Sequence, residues 1–302
     1  MRKQTESSTA KLYTKIHKAQ FKKNIFFRLS NALSTEYLGL NKNFFYDKVC
    51  LDAASGLNAN ATVNMLNLGA NHVHLFDINK KILKVTKNFL IKKFPKSKFT
   101  IKKSNLLKID YPDNYFDFVH CAGAIHSTVD YKKSVKELCR VTKSGGLMYI
   151  EYYGKGAIVQ EVVEFLRTKY KTNSQFKQFI DRLDKNTFNE IISFIKSQNA
   201  KYKINKFSNS EYKNFIKYFD YDLILTIKDR IQTPLYKQIE YKDLIKILKS
   251  NGFYKIKRLS RFPYFENYRK FLSPFYKNYN NYYSKILYGD GVPQILCKKS
   301  DN

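Results

Sequence analysis

Residues 49–58 read VCLDAASGLN, a short apolar stretch that ends in Asp52 and then opens into a turn of small residues. The apolar stretch predicts a buried strand that carries Asp52 to its carboxyl end. Small residues from Ala53 to Gly56 let the backbone approach a ligand closely, and the next segment, ANATVNMLNLG, predicts a helix whose N-terminal amides face the same space. The stretch therefore predicts a strand, a turn and a helix that hold a nucleotide-like ligand.

Strand and helix patterns alternate after this stretch. The strand-like segments are HVHLFDI, KFTIKKSN, FDFVHCAG and GLMYIEYYG, and helical patterns such as NKKILKVTKNFLIKKF and YKKSVKELCRVT separate most of them. Strands that alternate with helices of about 10 to 15 residues predict βαβ units and a mostly parallel sheet with helices on both faces. Ligands of such sheets bind beyond the carboxyl ends of the strands. Three strands end in candidate site residues, namely 52–58, Asp77 and 121–126.

The patterning divides the chain into four parts. Residues 1–45 are predicted to form N-terminal cap helices, 46–156 the ligand-binding core, 157–235 a helical insertion or lid, and 236–302 a helix with antiparallel edge strands that complete the core. The insertion is inferred because residues 157–198 show only long amphipathic helical patterns.

Composition limits the class of protein. The chain has 302 residues, 43% of them hydrophobic, which is enough for a substantial core. The start, MRKQTESSTAK, is too polar for a signal peptide, and no run of about 18 apolar residues could span a membrane. A cytoplasmic protein is expected. The four cysteines stand far apart without a CxxC pair, so we expect buried thiols and no metal site.

The formal charge of +30 could indicate a nucleic-acid partner, because phosphate neutralisation by Lys and Arg drives such binding. However, the basic residues are spread along the whole chain and are mostly Lys, a bias that AT-rich codons also produce. A functional anion-binding surface stays open as the alternative. Residues 253–288 interleave aromatic and basic side chains, which suits stacked bases, a small-molecule pocket or simple packing.

The order of these motifs resembles the class I S-adenosylmethionine-dependent methyltransferases, in particular the type 11 group that acts mainly on small molecules. The likeness covers about residues 46–153, through LDAASGLN, LFDIN, SNLLKIDYPDNYFD, FDFVHCAGAIHSTVDY and ELCRVTKSGG, the last ending in the family's Gly-Gly turn before strand five. The resemblance implies an α/β fold with a doubly wound, mostly parallel seven-stranded Rossmann-like sheet. It also implies S-adenosyl-L-methionine as the cofactor.

The resemblance assigns a cofactor site as well. Asp77 would accept hydrogen bonds from both ribose hydroxyls, and Asn105 stands where the family often has an Asp near the adenine. Ala54 and Asn58 replace two family glycines. Ala adopts most backbone conformations except those with positive φ, whereas Asn adopts the left-handed region, with positive φ, more readily than other non-glycine residues. Asp52 would orient the turn or reach the methionine moiety. The candidate cofactor residues are Asp52, Ala53, Ala54, Gly56, Asn58, Asp77, Ile78, Asn105, Leu106 and Cys121.

Three residues are candidates for catalysis or acceptor contact. His126 follows the fourth strand and has the side chain of a general base, or it shapes the pocket. Tyr153 and Glu151 would share one face at the end of strand five. The segment KDRIQTPLY, residues 228–236, either closes the pocket or forms a turn beside a helix.

The acceptor is the least determined part. The resemblance implies in-line methyl transfer to a small molecule, with an anionic or aromatic acceptor as one expectation. An RNA methyltransferase and a non-catalytic methyltransferase-like interaction protein are the alternatives. No obligate protein partner is inferred, and a nicotinamide or flavin cofactor is disfavoured because ASGLNA lacks the third glycine of a dinucleotide turn.

Overall fold

The computed structural model describes residues 7–15, 33–203, 208–218, 221–260 and 271–301. Seven strands lie in this part of the chain: β1 Val49–Ala53, β2 His72–Asp77, β3 Phe99–Lys103, β4 Phe116–Ala122, β5 Thr142–Glu151, β6 Phe253–Leu259 and β7 Gln294–Lys299. They form one sheet in the order β3-β2-β1-β4-β5-β7-β6. The predicted α/β fold with a seven-stranded sheet is confirmed.

Most neighbouring strands are parallel. β1 pairs in parallel with both β2 and β4, β2 with β3, and β4 with β5, whereas β7 runs antiparallel to both β5 and β6. The predicted antiparallel edge pair is therefore confirmed. Strand order reverses between β1 and β4, and the carboxyl edge at such a reversal is where open α/β sheets bind ligands.

Helices flank the sheet. In chain order they are α1 at residues 7–15, α2 Thr35–Leu38, α3 Asn60–Asn67, α4 Lys80–Leu90, α5 Tyr131–Val141, α6 Ala157–Thr172, α7 Ser174–Arg182, α8 Lys185–Tyr202, α9 Asn209–Tyr218, α10 Tyr221–Gln232, α11 Tyr241–Ser250, α12 Ser273–Lys277 and α13 Tyr282–Tyr288. Short polar side chains start several of them. Asn79 accepts a hydrogen bond from the Lys81 amide at the start of α4, and Asp130 accepts one from the Lys133 amide at the start of α5.

Both faces of the central strands are buried, which explains their continuous apolar sequence. On one face Leu51 and Val119 pack in a cluster with Leu138 of α5. On the other face the Phe118 ring makes edge contact with the Phe45 ring, with centroids 5.0 Å apart. The four cysteines are buried free thiols, as predicted.

Strand five differs from the sequence-based expectation at its start. β5 already begins at Thr142, so the glycine pair lies inside it and not in a preceding turn. Gly145 has a φ of 74°, and a Cβ on Gly146 would lie 2.8 Å from the Lys143 carbonyl oxygen. The pairing of β4 with β5 shifts register at the same place. The two glycines therefore accommodate an irregularity within the strand.

The helices α6 to α10 follow β5 and precede the edge strands, and the four-part division of the chain stays a prediction. In the segment 253–288, β6 and two short helices are described, whereas residues 261–270 lie outside the described part. Of the N-terminal cap, residues 1–6 and 16–32 also lie outside it. None of the described helices combines the length and apolar character needed to cross a bilayer.

Candidate functional site

A cavity of about 380 Å³ lies at the carboxyl edge of the sheet, beside the reversal of strand order. The residues that line the cavity come from the ends of five neighbouring strands. They are Asn105 and Leu106 after β3, Asp77 and Ile78 at the end of β2, Asp52 and residues 54–58 at the end of β1, His120 and Ala122 on β4, and Tyr149 and Glu151 on β5. Residues that are far apart in sequence thus share one cavity because their parallel strands end side by side.

The turn after β1 places small residues in the left-handed region. Ala54 has a φ of 57°, Gly56 of 65° and Ala59 of 44°, whereas Asn58 is not among the residues with positive φ. The expectation that Ala54 would stay out of this region is wrong, because the chain must reverse direction at once after the strand. The Ser55 amide closes the turn by donating to the Phe76 carbonyl, 2.9 Å away.

Replacing Ala54 by Gly should stabilise the protein by about 0.5 kcal/mol. Left-handed backbone costs an L-residue about 1–2 kcal/mol, and the larger unfolded-state freedom of Gly offsets about half of the relief. Urea unfolding measures the change. The matched control is Ala53→Gly in the neighbouring strand position, which should destabilise by about 1 kcal/mol; an equal loss in both variants would contradict the prediction.

Asp52 is buried and fully engaged by protein groups. Its Oδ2 accepts hydrogen bonds from the Thr62 amide at 3.1 Å and from the Thr62 hydroxyl at 2.7 Å. Its Oδ1 lies 3.2 Å from the Nδ1 atom of His120. Only 2% of Asp52 is exposed. Asp52 thus fastens the first turn of α3 to β1 and holds the imidazole of His120.

Asp77 connects the end of β2 to the glycine turn. Its Oδ2 accepts a hydrogen bond from the Gly56 amide at 3.2 Å, and its Oδ1 accepts one from the Asn79 amide at 2.9 Å. Burial raises the pKa of Asp77, and these amide donors act in the opposite direction. The carboxylate therefore lies against the turn with its position set by backbone groups.

Two polar side chains of the turn are suited to a ligand. The Ser55 hydroxyl and both polar atoms of the Asn58 side chain are buried and find no hydrogen-bond partner within the described part of the chain. Both residues line the cavity. Because a buried polar group without a partner costs free energy, these atoms suit a polar ligand seated in the turn.

Asn105 lines the cavity beyond β3, next to Leu106. Its Oδ1 accepts a hydrogen bond from the Leu107 amide at 2.9 Å, which shapes the loop. The side-chain carbonyl oxygen is the atom of Asn105 that could accept a hydrogen bond from the amine of a ligand.

The far wall of the cavity is formed by β4 and β5. Parallel pairing places His120 opposite Tyr149, and their rings stack with centroids 5.2 Å apart and an interplanar angle of 5°. Ala122 pairs with Glu151 in the same way. The Oε2 atom of Glu151 accepts hydrogen bonds from the side-chain amide of Gln294 at 2.7 Å and from the Tyr149 hydroxyl at 3.4 Å. These contacts hold the polar side chains of this wall in place.

The N-terminal helix α1 covers the cavity, and Thr9, Ala10 and Tyr13 line it. The Asn79 side-chain amide donates to the Ala10 carbonyl at 3.2 Å, and the Tyr13 hydroxyl lies 3.2 Å from the Ser127 hydroxyl. These contacts attach α1 to the loops after β2 and β4.

Of the predicted cofactor residues, all except Ala53 and Cys121 line the cavity. The side chains of those two residues are buried in the core. Glu151 also reaches the cavity, but Tyr153, which follows the end of β5, does not. Its hydroxyl instead donates to the Oδ2 atom of Asp229, 2.8 Å away. Tyr153 therefore does not share the cavity face of Glu151, because β5 ends at Glu151.

His126 lies outside the cavity lining. The short 3₁₀ turn Ile125–Ser127 buries its ring against Tyr153, with ring centroids 3.9 Å apart. Burial, with the Arg230 guanidinium, lowers the pKa of His126 to about 3. The structure therefore does not bring this predicted base to the ligand cavity. Arg230, from the segment 228–236, lies over the Tyr153 ring, with its guanidinium carbon 4.7 Å from the ring centroid.

His120 was not predicted as a cavity residue, although the alternation of side chains places His120 and Ala122 on the same face of β4. The acidic character of the cavity was also missed. The described lining contains Asp52, Asp77 and Glu151 and neither Lys nor Arg, in a chain whose net charge is +30.

Comparison with known proteins supports this architecture. Residues 51–150 match the Methyltransf_11 family model, described as a methyltransferase domain. The ubiquinone/menaquinone biosynthesis C-methyltransferase of Francisella tularensis subsp. novicida is 31% identical over 86 residues, which are 28% of this chain and 34% of that protein. The chain thus spans about a third of the length of the curated relatives it matches.

Two solved structures share the fold. One is a candidate sarcosine dimethylglycine methyltransferase from Galdieria sulphuraria, with a TM-score of 0.53 at 15% identity over 91% of this chain and 86% of that one. The other is phosphoethanolamine N-methyltransferase 2 of Haemonchus contortus in complex with S-adenosyl-L-methionine, with a TM-score of 0.50 at 16% identity over 89% of this chain and 53% of that one.

The sheet order and the cavity at its carboxyl edge define a Rossmann-like methyltransferase fold. Residues 51–150 match a class I S-adenosylmethionine-dependent methyltransferase domain of the type 11-like group, and the cofactor of this class is S-adenosyl-L-methionine.

Proposed function

We propose that the protein is an S-adenosylmethionine-dependent methyltransferase that acts on a small molecule. The observation that carries the proposal is the convergence of the turn after β1, the Asp77 carboxylate and the Asn105 loop on one cavity. The buried polar atoms of Ser55 and Asn58, which lack partners in the described chain, fit a polar ligand at that place.

Each part of the cavity has a role in this proposal. The Asn105 side chain and the apolar Ile78 and Leu106 hold the adenine, and Asp77 binds the ribose hydroxyls. The turn 54–58 and the first turn of α3 hold the methionine moiety through amides and the Asn58 side chain. The carboxylates of the described lining suit a cationic sulfonium, because opposite charges attract strongly where water is excluded.

S-adenosylmethionine supplies a methyl group on a sulfonium that is ready for displacement. The protein then has to align the acceptor and exclude water, and orientation supplies much of the acceleration. The wall formed by β4 and β5 is the acceptor side in this proposal, since it continues the cavity beyond the turn that holds the methionine moiety. The cover formed by α1 favours a small acceptor over a nucleic acid.

Calorimetry with S-adenosylhomocysteine tests the cofactor assignment. We expect saturable binding at one site and a higher melting temperature, because a ligand of the native state stabilises it. Absence of heat and of a thermal shift at millimolar ligand would contradict the proposal and favour a non-catalytic interaction protein. Transfer of tritiated methyl groups to separate small-molecule and RNA pools then tests the acceptor class, and labelling of RNA alone would contradict a small-molecule acceptor.

Replacing Asn105 by Asp should increase the affinity for S-adenosylhomocysteine by about threefold to tenfold. A carboxylate accepts a stronger hydrogen bond from the adenine amine than an amide oxygen does, and it can keep the bond from the Leu107 amide. Calorimetry measures the dissociation constant. Asn114→Asp, on a loop that does not line the cavity, is the matched control and should leave the dissociation constant unchanged. An equal change in both variants would show that the added negative charge acts on affinity from any position.

A further inference from the structure

His120 has the arrangement of a proton-accepting histidine. Its side chain is on the cavity wall and is 13% exposed. Its Nδ1 atom lies 3.2 Å from Oδ1 of Asp52, and the opposite oxygen of that carboxylate is held by both polar groups of Thr62. Stacking on Tyr149 fixes the plane of the ring. A buried carboxylate that is itself anchored thus orients an imidazole in the wall of the ligand cavity.

This contact determines which ring nitrogen is basic. In a neutral imidazole one nitrogen carries the hydrogen and the other carries a lone pair. The Asp52 carboxylate accepts a hydrogen bond, so it favours the hydrogen on Nδ1 and leaves the lone pair on Nε2. A carboxylate sets the tautomer of a general-base histidine in the same way in hydrolytic triads.

In the proposed function, the position of His120 in the sheet puts it on the acceptor side of the turn that would hold the methionine moiety. The turn after β1 holds the methionine moiety in the proposed function, and β4 is the next strand on the acceptor side. Neighbouring strands are about 4.8 Å apart, so the His120 ring lies one strand beyond the turn. A proton acceptor is needed there if the attacking atom of the acceptor carries hydrogen.

We propose that His120 is the general base of this methyltransferase, with Asp52 as its positioning residue, and that the acceptor is therefore a hydroxyl compound or a protonated amine. This inference rests on the proposed function. The acceptor atom gives its proton to Nε2 of His120, and its lone pair forms the new bond to the methyl carbon. The sulfur–methyl bond breaks with its electron pair going to sulfur, and the proton passes from His120 to water. Carboxylates, which carry no such proton at neutral pH, do not need this base.

The first test is the tautomer of His120, read by ¹⁵N NMR of the histidine rings in the S-adenosylhomocysteine complex. The chain has five histidines, and the His120→Gln variant assigns the resonance. We expect the Nδ1–H tautomer, and we expect Asp52→Asn to increase the share of the Nε2–H form. A hydrogen on Nε2 in the unaltered protein would overturn the inference, whether or not an acceptor has been found. A merely structural Asp52 would leave the tautomer unchanged.

The second test compares binding with turnover. His120→Gln should bind S-adenosylhomocysteine within about twofold of the unaltered protein, yet lose about 10²- to 10⁴-fold in kcat with phenols, alcohols or primary amines as probes. His72→Gln, on β2 and outside the cavity lining, is the matched control and should keep both properties. Labelling of only carboxylates would overturn the inference, as would equal turnover in the two variants. If the unaltered protein fails to bind S-adenosylhomocysteine, the proposed function itself is contradicted.

Discussion

Replacing Asp52 by Ala is expected to lower the free energy of unfolding by about 3 kcal/mol, because three hydrogen-bonding groups lose a buried charged partner at once. The Thr62 amide and hydroxyl and the Nδ1 atom of His120 all bind this carboxylate. The loss also frees the first turn of α3 from β1. Urea unfolding, followed by circular dichroism, measures the change.

Two milder variants rank the contributions at Asp52. Asp52→Asn keeps an acceptor for Thr62 but removes the charge, and it should cost about 1–2 kcal/mol. Thr62→Val removes only the hydroxyl bond to Oδ2 and should cost about 1 kcal/mol. The prediction is contradicted if Asp52→Ala lowers the free energy of unfolding by less than about 1 kcal/mol, or if Thr62→Val lowers it by more than Asp52→Ala does. Either result would show that the carboxylate does not fasten the helix to the strand.

Asp77→Asn should weaken the binding of S-adenosylhomocysteine by about 10- to 100-fold. A hydrogen bond to a charged acceptor contributes about 1.5–3 kcal/mol, and the amide that replaces the carboxylate presents one acceptor oxygen in place of two. The Asn79 amide can still bond to the remaining oxygen, whereas the Gly56 amide loses its acceptor, so part of the lost affinity comes through the turn. Calorimetry of the purified variant gives the dissociation constant.

The control for Asp77 is Asp110→Asn, which removes an equal charge from an exposed carboxylate on the protein surface. It should leave the affinity within about twofold, because exposed charges are screened by salt. An unchanged affinity in Asp77→Asn, or the same loss in Asp110→Asn, would contradict the placement of Asp77 at the ribose.

Local pattern was sufficient for the sheet and for most of the cofactor side of the cavity. Period-two and apolar segments predict strands, and a polar residue at a strand end is carried to the carboxyl edge wherever the strand lies. Asp52 and Asp77 were predicted on that ground, Asn105 was predicted from the family resemblance, and all three line the cavity. The backbone of the turn could not be predicted in the same way, since the positive φ at Ala54 follows from the direction in which the chain must leave β1.

The acceptor side was decided by strand pairing across long sequence separations. His120 meets Asp52 because β4 pairs with β1, and Glu151 meets Gln294 because β7 runs antiparallel to β5. In contrast, His126 looked suitable by position in the sequence, but the 3₁₀ turn after β4 carries its ring away from the cavity. A loop of a few residues can point a side chain to either side of the sheet, and the local sequence periodicity does not predict which side.

The sequence by itself determined the class of fold, the turn that approaches a ligand and the acids at the strand ends, because these features depend on neighbours within a few residues. The tertiary structure alone decided that Ala54 is left-handed, that α1 covers the cavity and that Asp52 holds His120 in its wall. It also showed carboxylates in the described lining of a strongly basic chain. Net charge is a sum over residues, whereas the charge that a ligand meets depends on which residues folding brings together.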